Sequence, residues 1–402
     1  MAAKPEDVSA PIEAVPPAKP PFWNDPAYRA VFYQVLVIGG VIAFGAFLVH
    51  NTLRHLEQQH IASGFAFLGH TAGFSIGESL IPYTETDTYG RTFLVGLLNT
   101  MLVSGVGVVL ATILGFIMGI ARLSSNWLIS RLSAVYIEIM RNIPLLLQIF
   151  FWYFGVLRLL PSPRQSVEVA GSFFLNNRGL SYPFPIFESG FSWTLWGLLI
   201  GVVGAVLVRR WARKRQALTG EQFPSGWVGL GLIVGLPLLA FLVAGAPLHF
   251  EYPVLKGFNF QGGGVLSPEF VALELSLVIY TAAFMAEIVR AGIMAVSHGQ
   301  TEAALSLGLK RGPTLRLVIV PQALRVIIPP MTSEFLNLTK NSSLAAAIAY
   351  PDLVLVFAGT TLMQTGQAVE IISMTMGVYL FLSLAISAFM NWYNKKMALV
   401  ER

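Results

Sequence analysis

Apolar residues run in eight long blocks along this chain, with polar residues gathered between them. The blocks cover about 30–50, 92–121, 132–160, 191–208, 226–245, 268–296, 326–357 and 369–391. Each is close to the ~20 residues that an α-helix needs to cross a bilayer. The pattern therefore predicts an all-α polytopic membrane protein of about eight transmembrane helices. Two blocks are uneven. The first turns of the third hold Glu138, Arg141, Asn142, Pro144 and Gln148, a set too polar to face lipid. The seventh is interrupted by Pro329, Pro330 and Pro351 and by the polar run 339–343. Irregular backbone at membrane depth is tolerated only where it is buried in protein or lines a cavity, so this block is expected beside a path.

Between the sixth and seventh blocks lies 297–325, which carries Lys310, Arg311, Arg316 and Arg325 and is broken by Gly308, Gly312 and Pro313. Such a stretch cannot cross lipid. Thr301 is a candidate N-cap with Glu302 in the first turn, so a short helix is expected over about 302–309. Gly308 to Pro313 then turns the chain, and Pro313 opens a second short helix. In the second block, Gly115 and Gly119 have the four-residue spacing that lets helices approach closely.

Composition agrees with the blocks. The 402 residues are 55% hydrophobic and 12% charged, and the mean hydropathy is +0.66, values that exclude an ordinary soluble domain. The net charge of +5 does not imply nucleic acid, because the cations sit beside apolar blocks. Arg122 and Arg131 follow the second block; Arg209, Arg210, Arg213, Lys214 and Arg215 follow the fourth; Lys395 and Lys396 follow the eighth. The positive-inside rule then places those ends, the stretch 297–325 and both termini in the cytoplasm. Residues 1–29 are proline-rich and lack a signal peptide's apolar core, and read as a disordered cytoplasmic tail. The acid-rich segment 51–90 and the segment 161–190 read as external loops.

Several chemistries drop out. Without cysteine there is no disulfide, thiolate metal site or cysteine nucleophile. A Walker phosphate loop, HExxH and GxSxG are all missing, so no catalytic residue, metal site or cofactor is expected in this chain. Ionisable groups within the blocks carry the remaining information, because a charge at membrane depth is costly unless it is paired or wet. Glu138 with Arg141, and Glu287 with Arg290, are three apart on one helix face. Each couple is either a self-neutralising structural pair or a contributor to a translocation path. Asn99, Gln148, Glu334, Asn337 and Asn341 either bond between helices or line that path. Glu370 reads as a solvated residue near a membrane end.

In the stretch 297–325, Glu302-Ala303-Ala304, Gly308 and the ending Val318-Ile319-Val320-Pro321 resemble the EAA loop of ATP-binding-cassette importer permeases. The runs 138–155, 280–296 and 329–353 resemble the polar amino-acid permeases of the histidine, glutamine and arginine type. The longer arrangement, with the run 91–124, is similar to the general L-amino-acid permease subgroup of proteobacteria. The resemblance implies a five-helix permease core carrying an extra N-terminal helix and an inserted helical hairpin. The corresponding parts are 30–90 for the extra helix and its periplasmic loop, 91–160 and 267–402 for the core, and 161–266 for the hairpin with its loops.

It further implies a bacterial inner-membrane subunit that works with a second, different permease chain, two ATPase subunits holding ATP and Mg, and a periplasmic amino-acid-binding protein. Thr301, Glu302, Ala303, Ala304, Gly308, Lys310 and Arg311 would couple to the ATPase. Arg141, Gln148, Glu287, Arg290, Glu334, Asn337 and Asn341 would line the substrate path. The competing reading is a self-sufficient secondary transporter or channel that uses Glu138, Glu287 and Glu334 as proton or cation sites. The lack of an internal repeat speaks against it.

Overall fold

The structure, a computed structural model, describes residues 26–58 and 63–397. The tail expected over 1–29 lies outside the described residues up to 25, and its last positions already belong to helix α1 (Pro26–Gln58). Among the described residues, seven helices are long and apolar enough to cross a membrane, and a bent pair raises the number to eight at most. The class is all-α and polytopic, as the blocks predict.

The chain divides into two compact units, 1–65 with 366–370, and 66–365 with 371–402. In the first, nearly all the described side chains of α1 are exposed. Glu370 belongs to the same unit and is buried, and its Oε1 accepts the Gly64 N–H at 2.6 Å. The expectation that it is simply solvated is therefore wrong: the carboxylate closes a loop.

The second unit begins with α2 (Tyr89–Arg122). The third block then departs from a single span. It forms α3 (Trp127–Asn142) and α4 (Leu145–Phe150), which continues as a π turn over Phe151–Val156 and a short 3-10 turn to Leu159. The two halves are bent by 105°. Ile143 has φ −97° and ψ 126°, the extended conformation that a residue before proline is pushed into, and Pro144 thereby ends the helix.

The segment 161–190, expected as an external loop, holds strands instead. They are β1 (Val167–Val169), β2 (Phe173–Asn176), β3 (Gly179–Tyr182) and β4 (Phe184–Phe187). After the hairpin of α5 (Phe191–Thr219) and α6 (Ser225–Val243) come β5 (Leu248–Glu251), β6 (Val254–Lys256), β7 (Asn259–Gln261) and β8 (Gly264–Leu266). One sheet runs β1-β2-β3-β8, with Leu180 opposite Leu266, and β4 pairs with β5, with Phe184 opposite Glu251. Both ends of the inserted hairpin are thus tied together by antiparallel pairing.

Helix α7 (Pro268–Met294) leads to α8 (His298–Ser306) and α9 (Arg311–Thr314). A π turn over Leu315–Ile319 passes into α10 (Val320–Asn341). The expected second short helix is therefore the beginning of a long one. Pro329 and Pro330 lie inside α10 and do not interrupt it. The break of the seventh block comes later, after a 3-10 turn over Ser342–Ile348, where Ala349 takes φ +60° before Tyr350-Pro351. A π turn over Val354–Thr361, α11 (Leu362–Thr365) and α12 (Ala368–Met397) complete the chain.

The core sits where α2, α7 and α10 meet, around Ala111, Ala282, Met285, Val289, Ile327 and Met331. At Gly115 an added Cβ would lie 2.6 Å from Met285 Cβ, and at Gly119 it would lie 2.6 Å from the Ala286 carbonyl oxygen. The four-residue glycine spacing therefore does what the sequence suggests, letting α2 and α7 touch backbone to backbone. Gly119→Leu is expected to overpack this contact, costing about 1–3 kcal/mol and lowering the thermal midpoint of the detergent-purified chain. Gly105→Ala, on the same helix with nothing within 4 Å of the new methyl, should raise the midpoint slightly, because Ala is the better helix former.

Candidate functional site

The turn after α7 is built around α8. Ser297, not Thr301, stands at its N-cap, although it makes no side-chain cap bond. The helix begins one turn earlier than expected, so Glu302 lies in its second turn, where its Oε1 is 3.0 Å from His298 Nδ1. Thr301 is half-buried inside the helix. At the other end Gly308 adopts φ +82°, the Leu309 N–H donates to Ala304 O at 3.2 Å, and the Gly308 N–H donates to Leu305 O at 2.9 Å. This is the left-handed glycine termination that satisfies two orphan carbonyls of the last turn. Lys310, exposed, is the N-cap of α9, and Arg311 opens that helix.

The two alanines of the motif face different ways: Ala304 is buried, while Ala303 is exposed beside Glu302, Leu305 and Leu307. Leu307 is 83% exposed, an arrangement that a lone amphipathic turn does not favour. Between α8 and the start of α9 lies a cavity of about 770 Å³ lined by Thr301, Glu302, Leu305, Arg311, Thr314 and Leu315.

The candidate path residues fall into two groups. Arg290 Nε donates to Glu287 Oε2 at 3.0 Å, and Arg290 Nη1 lies 2.8 Å from Met294 Sδ. Both charged side chains are less than a third exposed. Arg141 of α3 stands with its guanidinium carbon 5.1 Å from the centre of the Phe284 ring on α7, a cation–π distance. It forms no ion pair with Glu138, which is exposed; the expected couple is absent, and only the α7 couple forms. Phe284, which meets Arg141, lies one turn before Glu287 on α7, so Arg141 stands on the side of α7 that carries Glu287. Glu334, Asn337 and Asn341 lie three and seven residues apart on one face of α10.

Gln148 stands apart from this group. It is buried and its Nε2 donates to Met140 O and to Ile143 O, each at 3.0 Å. Its amide bridges the Pro144 break, a local role in place of a bond between helices. Asn99 does bond across elements, from Nδ2 to Pro351 O at 2.8 Å and to Glu78 O at 2.9 Å. A cavity of about 390 Å³ opens beside that contact, lined by Ser75, Glu78, Glu269, Ala349, Pro351 and Thr360. Burial pushes the Glu78 carboxyl up and the Glu269 charge adds to this, while a hydrogen bond from Ser267 opposes them.

Residues 111–399 match the family described as "Binding-protein-dependent transport system inner membrane component". The chain is 55% identical over 378 residues to the "General L-amino acid transport system permease protein AapQ" of Rhizobium johnstonii, which covers 94% of each chain. It is also 55% identical to the "Putative amino-acid ABC transporter permease protein YhdX" of Escherichia coli, over 94% of this chain and 96% of that one. Identity to the "Glutamate/glutamine/aspartate/asparagine transport system permease protein BztB" of Rhodobacter capsulatus is 42%, with the same coverage.

The chain belongs to this family. It is therefore a membrane component of a transport system, and membership does not favour the reading as a self-sufficient secondary transporter or channel. In this transport component the sequence reading passed over two buried acids. Glu274, on α7, is 7% exposed and neither carboxylate oxygen has a hydrogen-bond partner; Oε1 would lie 3.4 Å from a Cβ placed on Gly107 of α2. It was visible as a lone acid in an apolar run. Asp352, 1% exposed, accepts the Leu355 N–H at 2.9 Å and caps the helical turn after Pro351. Here the signal was an acid placed directly after a proline.

Gln148→Leu should strip two carbonyls at the Pro144 break of their partner and lower stability by about 1–3 kcal/mol, seen as a reduced thermal midpoint in detergent. Glu274→Met should act with the opposite sign, raising the midpoint, because it removes a buried carboxylate that nothing compensates.

Proposed function

We propose that this chain is the permease subunit of an ATP-driven amino-acid importer of a bacterial inner membrane. It passes L-amino acids from a periplasmic binding protein to the cytoplasm by alternating access. The observation that carries the proposal is the α8 turn: an exposed edge of Glu302, Ala303, Leu305 and Leu307 on a chain that has no nucleotide-binding motif of its own. The names of the relatives support the substrate class. ATP and Mg bind in two partner ATPase subunits, and α8 receives their movement. Ala303 keeps the outer edge slim enough to seat in a groove, while Glu302, Lys310 and Arg311 offer charges to its rim.

The polar set of Arg141, Glu287, Arg290 and Glu334 suits a zwitterion, which needs an acceptor for its ammonium and donors for its carboxylate in a partly desolvated space. Asn337 and Asn341 extend that wall along α10. A second, different permease chain completes the path. The basic end of α5 and both termini lie in the cytoplasm.

Two experiments test this. Ala303→Trp and Leu307→Glu alter only exposed positions of α8, so the chain should remain monodisperse in detergent while the co-purified ATPase and amino-acid uptake are both lost; retention of the ATPase would sink the proposal. Because the chain contains no cysteine, Thr219→Cys gives a clean topological probe. A membrane-impermeant maleimide should label it only from the cytoplasmic side, and labelling of intact cells from outside would overturn the orientation.

A further inference from the structure

Helix α5 does not stop where its apolar run stops. It continues past Val208 to Thr219 and ends at Gly220, which has φ +73°. That extension carries Arg209, Arg210, Arg213, Lys214 and Arg215. At about 100° of rotation per residue, Arg209, Arg210, Arg213 and Lys214 fall within an arc of about 140°, while Arg215 falls outside it. The structure treats the two sets differently. Arg215 is occupied: its Nη2 is 2.6 Å from Glu221 Oε2, and its guanidinium carbon is 5.5 Å from the centre of the Trp211 ring. The other four are exposed and, among the described residues, their side chains make no hydrogen bond or ion pair.

The position of α6 fixes where this face points. A Cβ on Gly201 would meet Leu232 O, and one on Gly229 of α6 would lie 3.4 Å from Ala205 Cβ. On the helical wheel Arg210 and Lys214 lie roughly opposite Gly201 and face away from α6, while Arg209 and Arg213 continue the ridge of Gly201 and Ala205 and flank that contact. Directly above them on the same face stand Leu199, Val203, Val206 and Leu207, all exposed. The surface is thus an apolar strip that runs into a cationic foot. Arg209 with Arg213, and Arg210 with Lys214, are like-charge pairs at four-residue spacing, an arrangement that destabilises an isolated helix and calls for a counter-anion.

We propose that this face of α5 is a binding site for an anionic phospholipid, whose acyl chain lies along Leu199–Leu207 and whose phosphate is held by Arg209, Arg210, Arg213 and Lys214. A membrane phospholipid presents both halves at once, an apolar tail and an anionic head, and guanidinium groups match phosphate oxygens two at a time. Basic residues next to a membrane helix are each worth about 1 kcal/mol toward an anionic surface. The site rests on the membrane-spanning reading of α5 and is independent of coupling to an ATPase. It gives the inserted hairpin a role separate from the coupling turn and the polar path.

The test uses the full transporter complex in nanodiscs of phosphatidylglycerol and phosphatidylcholine in equal parts, with the preference for phosphatidylglycerol read by spin-labelled lipid. Arg209→Gln with Arg213→Gln, which keeps three cations of the run, should lower that preference by about fivefold for each charge removed. Replacing both by Lys should retain most of it. Arg215→Gln should leave it unchanged, because that side chain is already engaged. An unchanged preference in the double Gln variant, or an equal loss in Arg215→Gln, overturns the proposal. So does loss of the co-purified ATPase with lipid preference intact, which would mark the face as a protein-docking surface.

Discussion

A peptide group at membrane depth has no water to bond, so a helix that breaks there must find its partners inside the protein. This chain breaks twice in its core, and each break is answered by a side-chain amide. At Ile143-Pro144 the Gln148 amide takes the Met140 and Ile143 carbonyls. At Ala349 to Pro351 the Asn99 amide takes the Pro351 carbonyl, and the next free N–H, of Leu353, donates to Thr100 Oγ1 at 3.0 Å. The two solutions differ in reach. Gln148 serves its own stretch of chain, so the bend between α3 and α4 is self-contained. Asn99 and Thr100 belong to α2, so the second break is clamped to another helix.

Helix α2 is also closely packed against α7. α2 holds the broken end of the seventh block at one level and, further along, lies against α7 through Gly115 and Gly119. After Met294, α7 runs within a few residues into α8. A displacement of α8 is therefore delivered to a helix whose backbone touches that of α2, with little side-chain padding to absorb it. Interiors packed to this density respond by shifting between arrangements and do not deform continuously. Glu287 and Arg290 lie on the same helix, interleaved with the core residues Met285 and Val289.

Much of this was legible in the residues. The block lengths announced the membrane helices, the spacing of Gly115 and Gly119 announced a close helix contact without naming its partner, and the polar stretch 297–325 announced a turn between two helices. The misses have physical reasons. A proline inside a run of apolar residues is ambiguous: Pro329 and Pro330 stay within α10, whereas Pro144 ends α3, because local pairing and neighbours decide whether the lost N–H matters. The strands near the inserted hairpin were hidden because β4 pairs with β5 across the hairpin, and β3 with β8 beyond it, partners that no local pattern names. Thr301 and Ser297 both suit an N-cap, and only the built helix chose between them.

The sequence by itself determined what depends on composition and spacing: that the chain crosses a membrane, roughly where it does so, and where the polar turn between the sixth and seventh blocks lies. Only the tertiary structure decided which polar groups meet. Glu287 pairs with Arg290 while Glu138 and Arg141 stay apart, although both couples have the same spacing. Spacing places two side chains on one face, but the neighbouring helix determines whether they find each other, and here Phe284 takes Arg141 first. Glu274 shows the same division: the sequence marks it as an acid in an apolar run, and only the packing leaves both its oxygens without a partner.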